Sequence, residues 1–339
     1  MLPPRILRRL VLAPLVIVVT VAMLVTLPLW LVVAAAASMR LPPPQRRGPR
    51  FVWFGVAWLT LESLVLIACL WLWVAGGARR QERHYGLVRW FLSRVYAAAA
   101  RIFRLAVDVE GPAGGSAAPS GPVIVLSRHA GPGDSFLLIH HLLVACDRRP
   151  RIVMKAALQY DPMLDVVINR LPNAFVPRRS GRRRTVGEIR RLAATMDGRD
   201  ALVIFPEGAN FTPRRRRLAI RRLEAKGLTE EAGRARGLEH LLPPRPNGAL
   251  AAIAACPAAD VVFVAHTGLD DLITPGDVWR RLPRAARVTA TWWLVPAAEV
   301  PRGREEGIGW LYDNWERIDA WVSARRLPAR EAGPPAGRH

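Results

Sequence analysis

Cysteine and lysine are both scarce in this sequence of 339 residues. The three cysteines, Cys69, Cys146 and Cys256, lie far apart and match neither a disulfide framework nor the paired spacing of a structural zinc site. We therefore expect a reducing compartment. Lys155 and Lys226 are the only lysines, so the net charge of +22 comes almost wholly from arginine. This positive charge favours polyanionic partners, among them phospholipid headgroups and nucleic acids, without choosing between them.

Charged side chains are absent from residues 10–39. A helix needs about 20 apolar residues to cross a bilayer, so this run is long enough for a membrane-spanning segment. A signal peptide is the alternative, since Arg5, Arg8 and Arg9 precede the run and small residues at 34–38 end it. The apolar core of a signal peptide is only about 7 to 15 residues long, which this run exceeds. The length therefore favours a membrane segment.

A second apolar run covers residues 51–78 and contains one charged side chain, Glu62. A carboxylate in lipid is costly, so we expect Glu62 to face the other helix or to be protonated. Indole rings prefer the headgroup region, and four tryptophans lie in this run: Trp53, Trp58, Trp71 and Trp73. Together the two runs predict an N-terminal membrane helix hairpin within residues 1–80.

Arginines flank both apolar runs. Three precede the first run, four lie between the runs, and five follow the second by residue 94. Basic residues favour the cytoplasmic side, so we expect both ends of the hairpin to be cytoplasmic, although the four arginines of the loop oppose this orientation. The sequence thus predicts an integral protein of the cell membrane whose remaining domain is cytoplasmic.

Residues 84–104 have the pattern of a helix in which arginines alternate with apolar side chains. A basic amphipathic helix beside a membrane hairpin can lie on the anionic membrane surface. The same pattern is typical of a helix that packs onto a domain. The sequence leaves both placements open.

Beyond a linker rich in Gly, Pro and Ser at residues 111–122, short apolar runs alternate with helical patterns. This alternation predicts an α/β domain over residues 81–300, with helices covering a largely buried sheet. A last amphipathic helix near 308–322 and a disordered tail make up residues 301–339. The predicted strands are 123–126, 152–154, 174–176, 202–205, 261–265 and 288–294. The predicted helices are 136–145, 158–169, 185–196, 218–226 and 248–255.

The first candidate motif follows the predicted strand 123–126. His129 comes soon after this strand, and Asp134 lies beyond a Gly/Pro turn, where it or Ser135 has the position of a helix N-cap. Loops at strand ends commonly carry the sites of α/β proteins. Histidine can take a proton from a hydroxyl near neutral pH, and a carboxylate on its other nitrogen fixes the tautomer. Alone, the pair is equally compatible with a capping Asp beside an incidental His.

The second candidate motif follows the predicted strand 202–205. This strand runs into a polar turn that contains Pro206, Glu207 and Gly208. Two such turns at the ends of neighbouring strands can converge on one cleft.

Both motifs together resemble the signature of the 1-acylglycerol-3-phosphate acyltransferase family of glycerolipid acyltransferases, a His-x-x-x-x-Asp loop followed by a Phe-Pro-Glu-Gly turn. Residues 173–178, Asn-Ala-Phe-Val-Pro-Arg, are similar to the family's block that ends in a phosphate-binding arginine. Residues 223–227 and 240–248 resemble the continuation in lysophosphatidate and lysocardiolipin acyltransferases. The resemblance covers about residues 85–295.

The resemblance implies a mixed α/β sheet flanked by helices and a specific reaction. A fatty acyl group would pass from acyl-CoA or acyl carrier protein to the free hydroxyl of lysophosphatidic acid, giving phosphatidic acid. Another lysophospholipid or a glycolipid is the alternative acceptor. The resemblance implies neither a metal nor a cofactor beyond the thioester co-substrate.

The resemblance also implies roles for individual residues. His129 would be the general base, and Asp134 would orient its ring. Arg178, with Arg179 beside it, would hold the acceptor phosphate, for which a planar guanidinium is well suited. Glu207 would bind a glycerol hydroxyl or hold an arginine. The substrate-binding turn would comprise Phe205, Pro206, Glu207 and Gly208.

The chain departs from the family pattern at three places. Residues 131–133, Gly-Pro-Gly, lie inside the loop, where the family often has an aromatic residue or Ser. Arg128 precedes the histidine, where the family usually has Asn, and Pro177 precedes Arg178, where the family often has Asp or Gly. These differences concern the identity of the acceptor more than the type of reaction.

Three further histidines are expected to be structural: His140, His141 and His266. No Cys or carboxylate lies near them with the spacing of a metal site. The arginine runs at 182–184 and 214–217 are expected to be solvated and able to touch anionic lipid. A nucleic-acid binder would need aromatic platforms among its basic residues or a known module, and the sequence has neither. A catalytically silent membrane scaffold of the same fold is opposed by the intact motif residues.

Overall fold

A computed structural model describes residues 3–40, 46–77, 79–111, 119–177, 181–270, 276–277 and 287–326. The chain forms two compact units, each built from separated stretches. The first unit takes in 1–106, 136–192 and 274–287, and the second 107–135, 193–273 and 288–339. The domain limits inferred from the sequence, 1–80, 81–300 and 301–339, follow chain order and stay a prediction.

Four helices open the first unit: α1 (Arg5–Val25), α2 (Leu27–Met39), α3 (Gly48–Val74) and α4 (Gln81–Phe103). The apolar run at 10–39 is therefore divided at Thr26. Pro28 has no backbone N–H to donate within a continuous helix, so it lies in the first turn of a second helix. Helices α1 and α3, of 21 and 27 residues, are long and apolar enough to cross a membrane, which confirms the two predicted apolar helices. Helix α2, with 13 residues, is too short to span a bilayer alone.

A buried ion-pair cluster fixes the start of α1 within the first unit. Asp165 lies in a short helix, α6 (Pro162–Val167), and is fully buried. One of its carboxylate oxygens lies 2.7 Å from the Arg8 guanidinium, and the other lies 2.9 Å from that of Arg9. Arg8 also donates to the side chain of Gln159 at 3.0 Å. Buried charges are tolerated when they are paired in this way, so the cluster ties α1 to α6.

Helices α3, α4 and α6 share the apolar core of the first unit. Trp58 of α3 meets Phe91 of α4 edge to face, with ring centroids 5.5 Å apart. The apolar face of α4 is thus buried against its neighbours, which supports a packing role for the helix predicted at 84–104. The buried members of this core are Val65, Leu66, Cys69, Tyr85, Phe91, Leu92, Val95, Leu143, Met163, Val167 and Leu171.

The first unit also contains two parallel strands, β3 (Arg149–Lys155) and β4 (Ala174–Val176). The single helix predicted at 158–169 is wrong in part. The chain forms a 3₁₀ turn (Ala156–Tyr160), then α6, then another 3₁₀ turn (Ile168–Arg170). Pro162 follows the Asp161 N-cap of α6, a position that proline prefers, and this restart divides the predicted helix. Helix α7 covers Arg182–Ala193.

The second unit is built on a sheet of strands β1 (Ala106–Val109), β2 (Val123–Ser127), β5 (Asp200–Ile204), β6 (Asp260–Thr267) and β7 (Arg287–Val295). Their order is β1-β7-β6-β2-β5. Strand β2 pairs in parallel with both β5 and β6, whereas β6 and β7 are antiparallel. This mixed sheet confirms the predicted fold class. Strand β1 was not among the predicted strands.

Within the described residues, four helices accompany this sheet along the chain: α8 (Pro213–Glu224), α9 (Thr229–Gly237), α10 (Pro246–Ala255) and α11 (Arg304–Arg326). Helix α5 (Pro132–Val144) begins in the second unit and lies mainly in the first. Helix α9 was not predicted. Helix α11 is longer than the predicted 308–322 and belongs to the core of the second unit, since Trp315 is fully buried. The tail predicted to be disordered, from 327 onward, lies outside the described residues.

Helix α11 fixes the loop at residues 238–242. The indole N–H of Trp315 donates to the carbonyl oxygen of Leu242 at 3.0 Å. The two carboxylate oxygens of Asp319 accept the backbone N–H groups of Glu239 and His240 at 2.9 and 2.8 Å. The loop therefore depends on side chains about eighty positions further along the chain.

Candidate active site

His129 lies just beyond the end of β2, and Asp134 lies in the first turn of α5. The predicted N-cap position of Asp134 is wrong, because α5 already begins at Pro132. Instead, the carboxylate turns back toward the loop. It accepts the backbone N–H groups of Ala130 at 2.6 Å, Gly131 at 3.0 Å and Ser135 at 2.5 Å. These bonds hold the loop and the carboxylate in one fixed arrangement.

The imidazole of His129 faces this carboxylate. Its Nδ1 lies 3.3 Å from each oxygen of Asp134. The Asp134 side chain is 2% exposed, whereas that of His129 is 19% exposed, so the ring can still be reached from solvent. No hydrogen-bond partner of Nε2 occurs among the residues that the structure describes. A carboxylate at Nδ1 and a free Nε2 are the arrangement of a histidine that can accept a proton at Nε2.

The environment of Asp134 keeps it ionised. Burial by itself would raise the pKa of this carboxyl group, but its hydrogen bond with His129, the nearby His266 ring and the Gly131 N–H lower it below the ordinary value of an aspartate. Asp134 therefore carries the negative charge that a protonated His129 would need beside it.

The turn after β5 meets His129 at the same edge of the sheet. Strands β2 and β5 are parallel with Leu126 opposite Ile204, so the residues that follow them emerge side by side. The ring of Phe205 packs on that of His129 with centroids 4.7 Å apart. The structure thus brings the two sequence motifs together.

Glu207 is buried and binds two backbone N–H groups. One carboxylate oxygen accepts the N–H of His129 at 2.8 Å, and the other accepts that of Leu242 at 3.0 Å. Burial raises the pKa of Glu207 to about 8, although these two donors and the nearby Arg128 act in the opposite direction. This geometry differs from the expected contact with a glycerol hydroxyl or an arginine. In the structure Glu207 fixes the backbone of His129.

Pro206 and Gly208 shape the rest of this turn. The buried Pro206 accepts the backbone N–H of Arg245 at 2.9 Å. Gly208 has a φ of +68°, a conformation that glycine adopts without strain. A Cβ atom at this position would also lie 2.8 Å from a guanidinium nitrogen of Arg245. The positive φ therefore calls for glycine, whereas the end of the Arg245 side chain could shift to make room for a Cβ.

Three residues near His129 were assigned no role in the site from the sequence: Arg128, His266 and Asp270. The guanidinium of Arg128 is 1% exposed, donates to the carbonyl oxygen of His266, and lies 2.6 Å from the carboxylate of Asp270. Burial acts to raise the pKa of Asp270, but Arg128 and Thr267 hold it well below the ordinary range. His266 was expected to be merely structural, yet its Nε2 lies 3.7 Å from Asp134.

A signal for these residues was present in the strand order. Ser127 of β2 lies opposite Val264 of β6, so the two positions after Ser127 run beside the last residues of β6. The sequence does not state which strands are neighbours, and for this reason His266 could not be placed beside His129.

The remaining predictions have different outcomes. Arg178 and Arg179 lie outside the described residues. The backbone N–H groups of Ala130, Gly131 and Ser135 donate to Asp134 and are thereby occupied. Within the described part of the chain, no group of three or more His, Cys, Asp or Glu side chains is arranged to hold a metal ion.

A histidine paired with a carboxylate at the end of parallel strands defines a site for taking a proton from a nucleophile, as group-transfer enzymes require. Comparison with known proteins indicates which kind of chemical group is transferred. Residues 107–264 match the family model described as Acyltransferase. This match lies over the segment that contains both motifs and supports the resemblance drawn from them.

No curated protein sequence matches the chain. Among solved structures, the chain is similar to the crystal structure of the 1-acyl-sn-glycerophosphate (LPA) acyltransferase PlsC from Thermotoga maritima, with 16% sequence identity and a TM-score of 0.45. That similarity covers 81% of this chain and 98% of the other.

Proposed function

We propose that this protein transfers a fatty acyl group from acyl-CoA or acyl carrier protein to the free hydroxyl of lysophosphatidic acid, giving phosphatidic acid. The observation that carries the proposal is the position of His129. Its Nδ1 faces Asp134, its backbone N–H is held by Glu207, and its ring is partly exposed. The histidine is thus fixed on two sides and open toward a substrate.

The proposed reaction is direct transfer. Nε2 of His129 removes the proton from the acceptor hydroxyl while the hydroxyl oxygen attacks the carbonyl carbon of the thioester. A carbon–oxygen bond forms, and the carbon–sulfur bond breaks when the tetrahedral intermediate collapses. The imidazolium then returns the proton to the leaving thiolate. Asp134 stabilises the imidazolium between these two proton transfers.

Acceptor binding is assigned to the cations that follow β4. Arg178, with Arg179 as the neighbouring alternative, would hold the phosphate of lysophosphatidic acid through charge-assisted hydrogen bonds. Phe205 and Gly208 would line the path to His129, since both lie on the turn that packs against it. Pro206 and Glu207 would keep this turn in place.

We further propose that α1 and α3 hold the protein in the cell membrane, with the acyltransferase domain on the cytoplasmic side. The length and composition of α1 and α3 support the membrane location, because each helix is longer than a bilayer core requires. The excess of arginine favours contact with anionic lipid headgroups. Lysophosphatidic acid is itself a membrane lipid, so an anchored enzyme would meet its acceptor at the surface.

The test is an acyl-transfer assay of the full chain purified in detergent, with His129→Ala as the matched inactive variant. The acceptors would be lysophosphatidic acid, lysophosphatidylcholine, lysocardiolipin and a glycolipid, each offered with acyl-CoA and with acyl carrier protein. We expect the highest kcat/KM for lysophosphatidic acid and no transfer by the variant. Equal rates for acceptors without a phosphomonoester would assign the enzyme to another lysophospholipid or a glycolipid. Transfer by a folded His129→Ala protein would contradict the mechanism.

A further inference from the structure

His266 is a second histidine beside the carboxylate of Asp134. It lies near the end of β6, which runs parallel to β2, and its side chain is 8% exposed. Its Nε2 lies 3.2 Å from the carbonyl oxygen of Arg128 and 3.7 Å from one oxygen of Asp134. Its Nδ1 is buried and has no hydrogen-bond partner among the described residues. The acyl-transfer reaction proposed above makes no use of this ring.

The neighbours of Nε2 determine where the ring carries its proton. A carbonyl oxygen and an ionised carboxylate can only accept, so Nε2 must bear the hydrogen that points toward them. In the neutral ring Nδ1 then has a lone pair and no hydrogen. A second proton would place an unsatisfied N–H donor at a buried position, which is unfavourable.

The charges around His266 also oppose a second proton. The groups that face it are the guanidinium of Arg128 and the carboxylates of Asp134 and Asp270, and Asp134 also contacts His129. Burial lowers the pKa of His266, and the Arg128 cation lowers it further, against the two carboxylates. Asp270 and Arg128 are paired, so their charges largely compensate each other, and burial is the main cause of the lowered pKa.

We propose that His266 is a positioning residue for the acyl transfer, held in its neutral form with the Nε2 hydrogen directed at Asp134 and the Arg128 carbonyl. The proposal rests on the proposed roles of His129 and Asp134. A neutral ring directs an N–H at the Asp134 carboxylate without adding a second cation beside it. The full charge of Asp134 thereby stays available to His129 when it takes up the acceptor proton.

Two substitutions separate this role from the alternatives. In His266→Gln, the side-chain amide can keep an N–H near the position of Nε2 and cannot titrate. We expect its kcat and its pH profile to stay close to those of the unchanged protein. In His266→Leu the donor is lost, and we expect kcat to fall by up to about tenfold, as for one lost hydrogen bond to a backbone carbonyl, with KM unchanged.

The pH profile supplies a readout that packing alone would not move. The Nε2 hydrogen is the positive end of a dipole near His129, so its removal favours protonated His129. Because the base must be neutral to act, the acidic limb of the kcat/KM profile should move to higher pH in His266→Leu and stay in place in His266→Gln. If both variants keep the original profile and kcat, His266 only packs. If both lose activity as His129→Ala does, His266 is itself a titrating catalytic group.

A spectroscopic measurement tests the neutral ring without any substrate. Nitrogen-15 NMR of histidine-labelled protein should show His266, assigned by its loss in His266→Gln, as a neutral ring with the hydrogen on Nε2 from pH 6 to pH 8. Protonation of His266 within this range would overturn the proposal. This outcome does not depend on the identity of the acceptor. A failed acyl-transfer assay would contradict the proposed function and leave the NMR result unaffected.

Discussion

Buried carboxylates occur in both units of the molecule, but different donors hold them. In the first unit, Asp165 accepts hydrogen bonds from the guanidinium groups of Arg8 and Arg9, so full positive charges compensate its own. In the second unit, Asp134 and Glu207 accept mainly from backbone N–H groups, which carry no net charge. A carboxylate held by arginines ties segments together. Of the two carboxylates held by amides, Asp134 keeps its charge for a neighbouring group, His129, whereas burial raises the pKa of Glu207 to about 8.

The largest expected effect comes from Asp134→Asn. The amide keeps the size of the carboxylate but removes the negative charge beside His129, so we expect kcat to fall by about 10² to 10⁴. The control is Asp147→Asn, because Asp147 is an exposed aspartate whose side chain is 58% exposed and paired with Arg89. This variant should keep full activity. Both proteins would be compared in the acyl-transfer assay together with their melting temperatures. A fully active Asp134→Asn protein would show that the charge of Asp134 is not needed beside His129.

Asp165→Ala should act on stability and leave turnover intact. The substitution leaves the buried Arg8 without its counter-charge, and loss of one member of a buried pair typically costs about 3 to 5 kcal/mol. We expect a lower melting temperature in detergent, measured beside Asp147→Asn, and an unchanged kcat for the fraction that remains folded. A loss of kcat without a loss of stability would show that Asp165 contributes to turnover and not only to stability.

Arg178→Ala extends the comparison to the arginines and tests one that the proposed function assigns to the acceptor phosphate. Arg8 and Arg9 are occupied by Asp165, whereas the proposed function requires Arg178 to be available to an acceptor phosphate. A charged hydrogen bond contributes about 1.5 to 3 kcal/mol, so KM for lysophosphatidic acid should rise roughly tenfold to a hundredfold while KM for the donor stays constant. Arg179→Ala is the matched control. If this variant instead shows the acceptor-specific loss, phosphate binding belongs to the neighbouring arginine.

Thr212→Ala should give the smallest effect and provides a neutral reference for backbone N–H acceptors. The Thr212 hydroxyl caps α8 by accepting the N–H of Arg215 at 3.2 Å. Loss of an N-cap of this kind costs about 1 kcal/mol. We expect a small fall in unfolding free energy and little change in kcat. A loss as large as that of Asp165→Ala would show that the capped turn, which follows Gly208, carries more of the fold than one hydrogen bond.

Local patterns were sufficient to predict much of the fold and half of the site. Buried apolar runs marked strands β2 to β7, and the rule that parallel strands carry sites at their ends placed His129 beside Phe205. These inferences succeed because they depend on residues close in sequence or on a general property of sheets. The boundaries that failed, at Thr26 and Pro162, reflect prolines inside otherwise helical patterns.

Contacts between distant segments account for what the sequence did not reveal. Glu207 is bound by Leu242, and His266 approaches Asp134 only because β6 lies next to β2. A glutamate beside a predicted substrate turn looks like a ligand-binding group until its backbone donors are known. Arg128, which the sequence presents as a departure from the family pattern, turns out to be a fully buried cation with Asp270 as its partner. No short window of sequence contains both members of any of these pairs.

The position of helix α11 near the end of the described chain determines when the site can be completed during synthesis. The loop at 238–242, whose Leu242 binds Glu207, is anchored by Trp315 and Asp319. Because a ribosome adds about 5 to 20 residues per second from the N-terminus, helices α1 and α3 emerge many seconds before these two anchors exist. Both apolar helices therefore leave the ribosome while the backbone around His129 still lacks its last support. The assembly of this site is completed only when α11 has been synthesised.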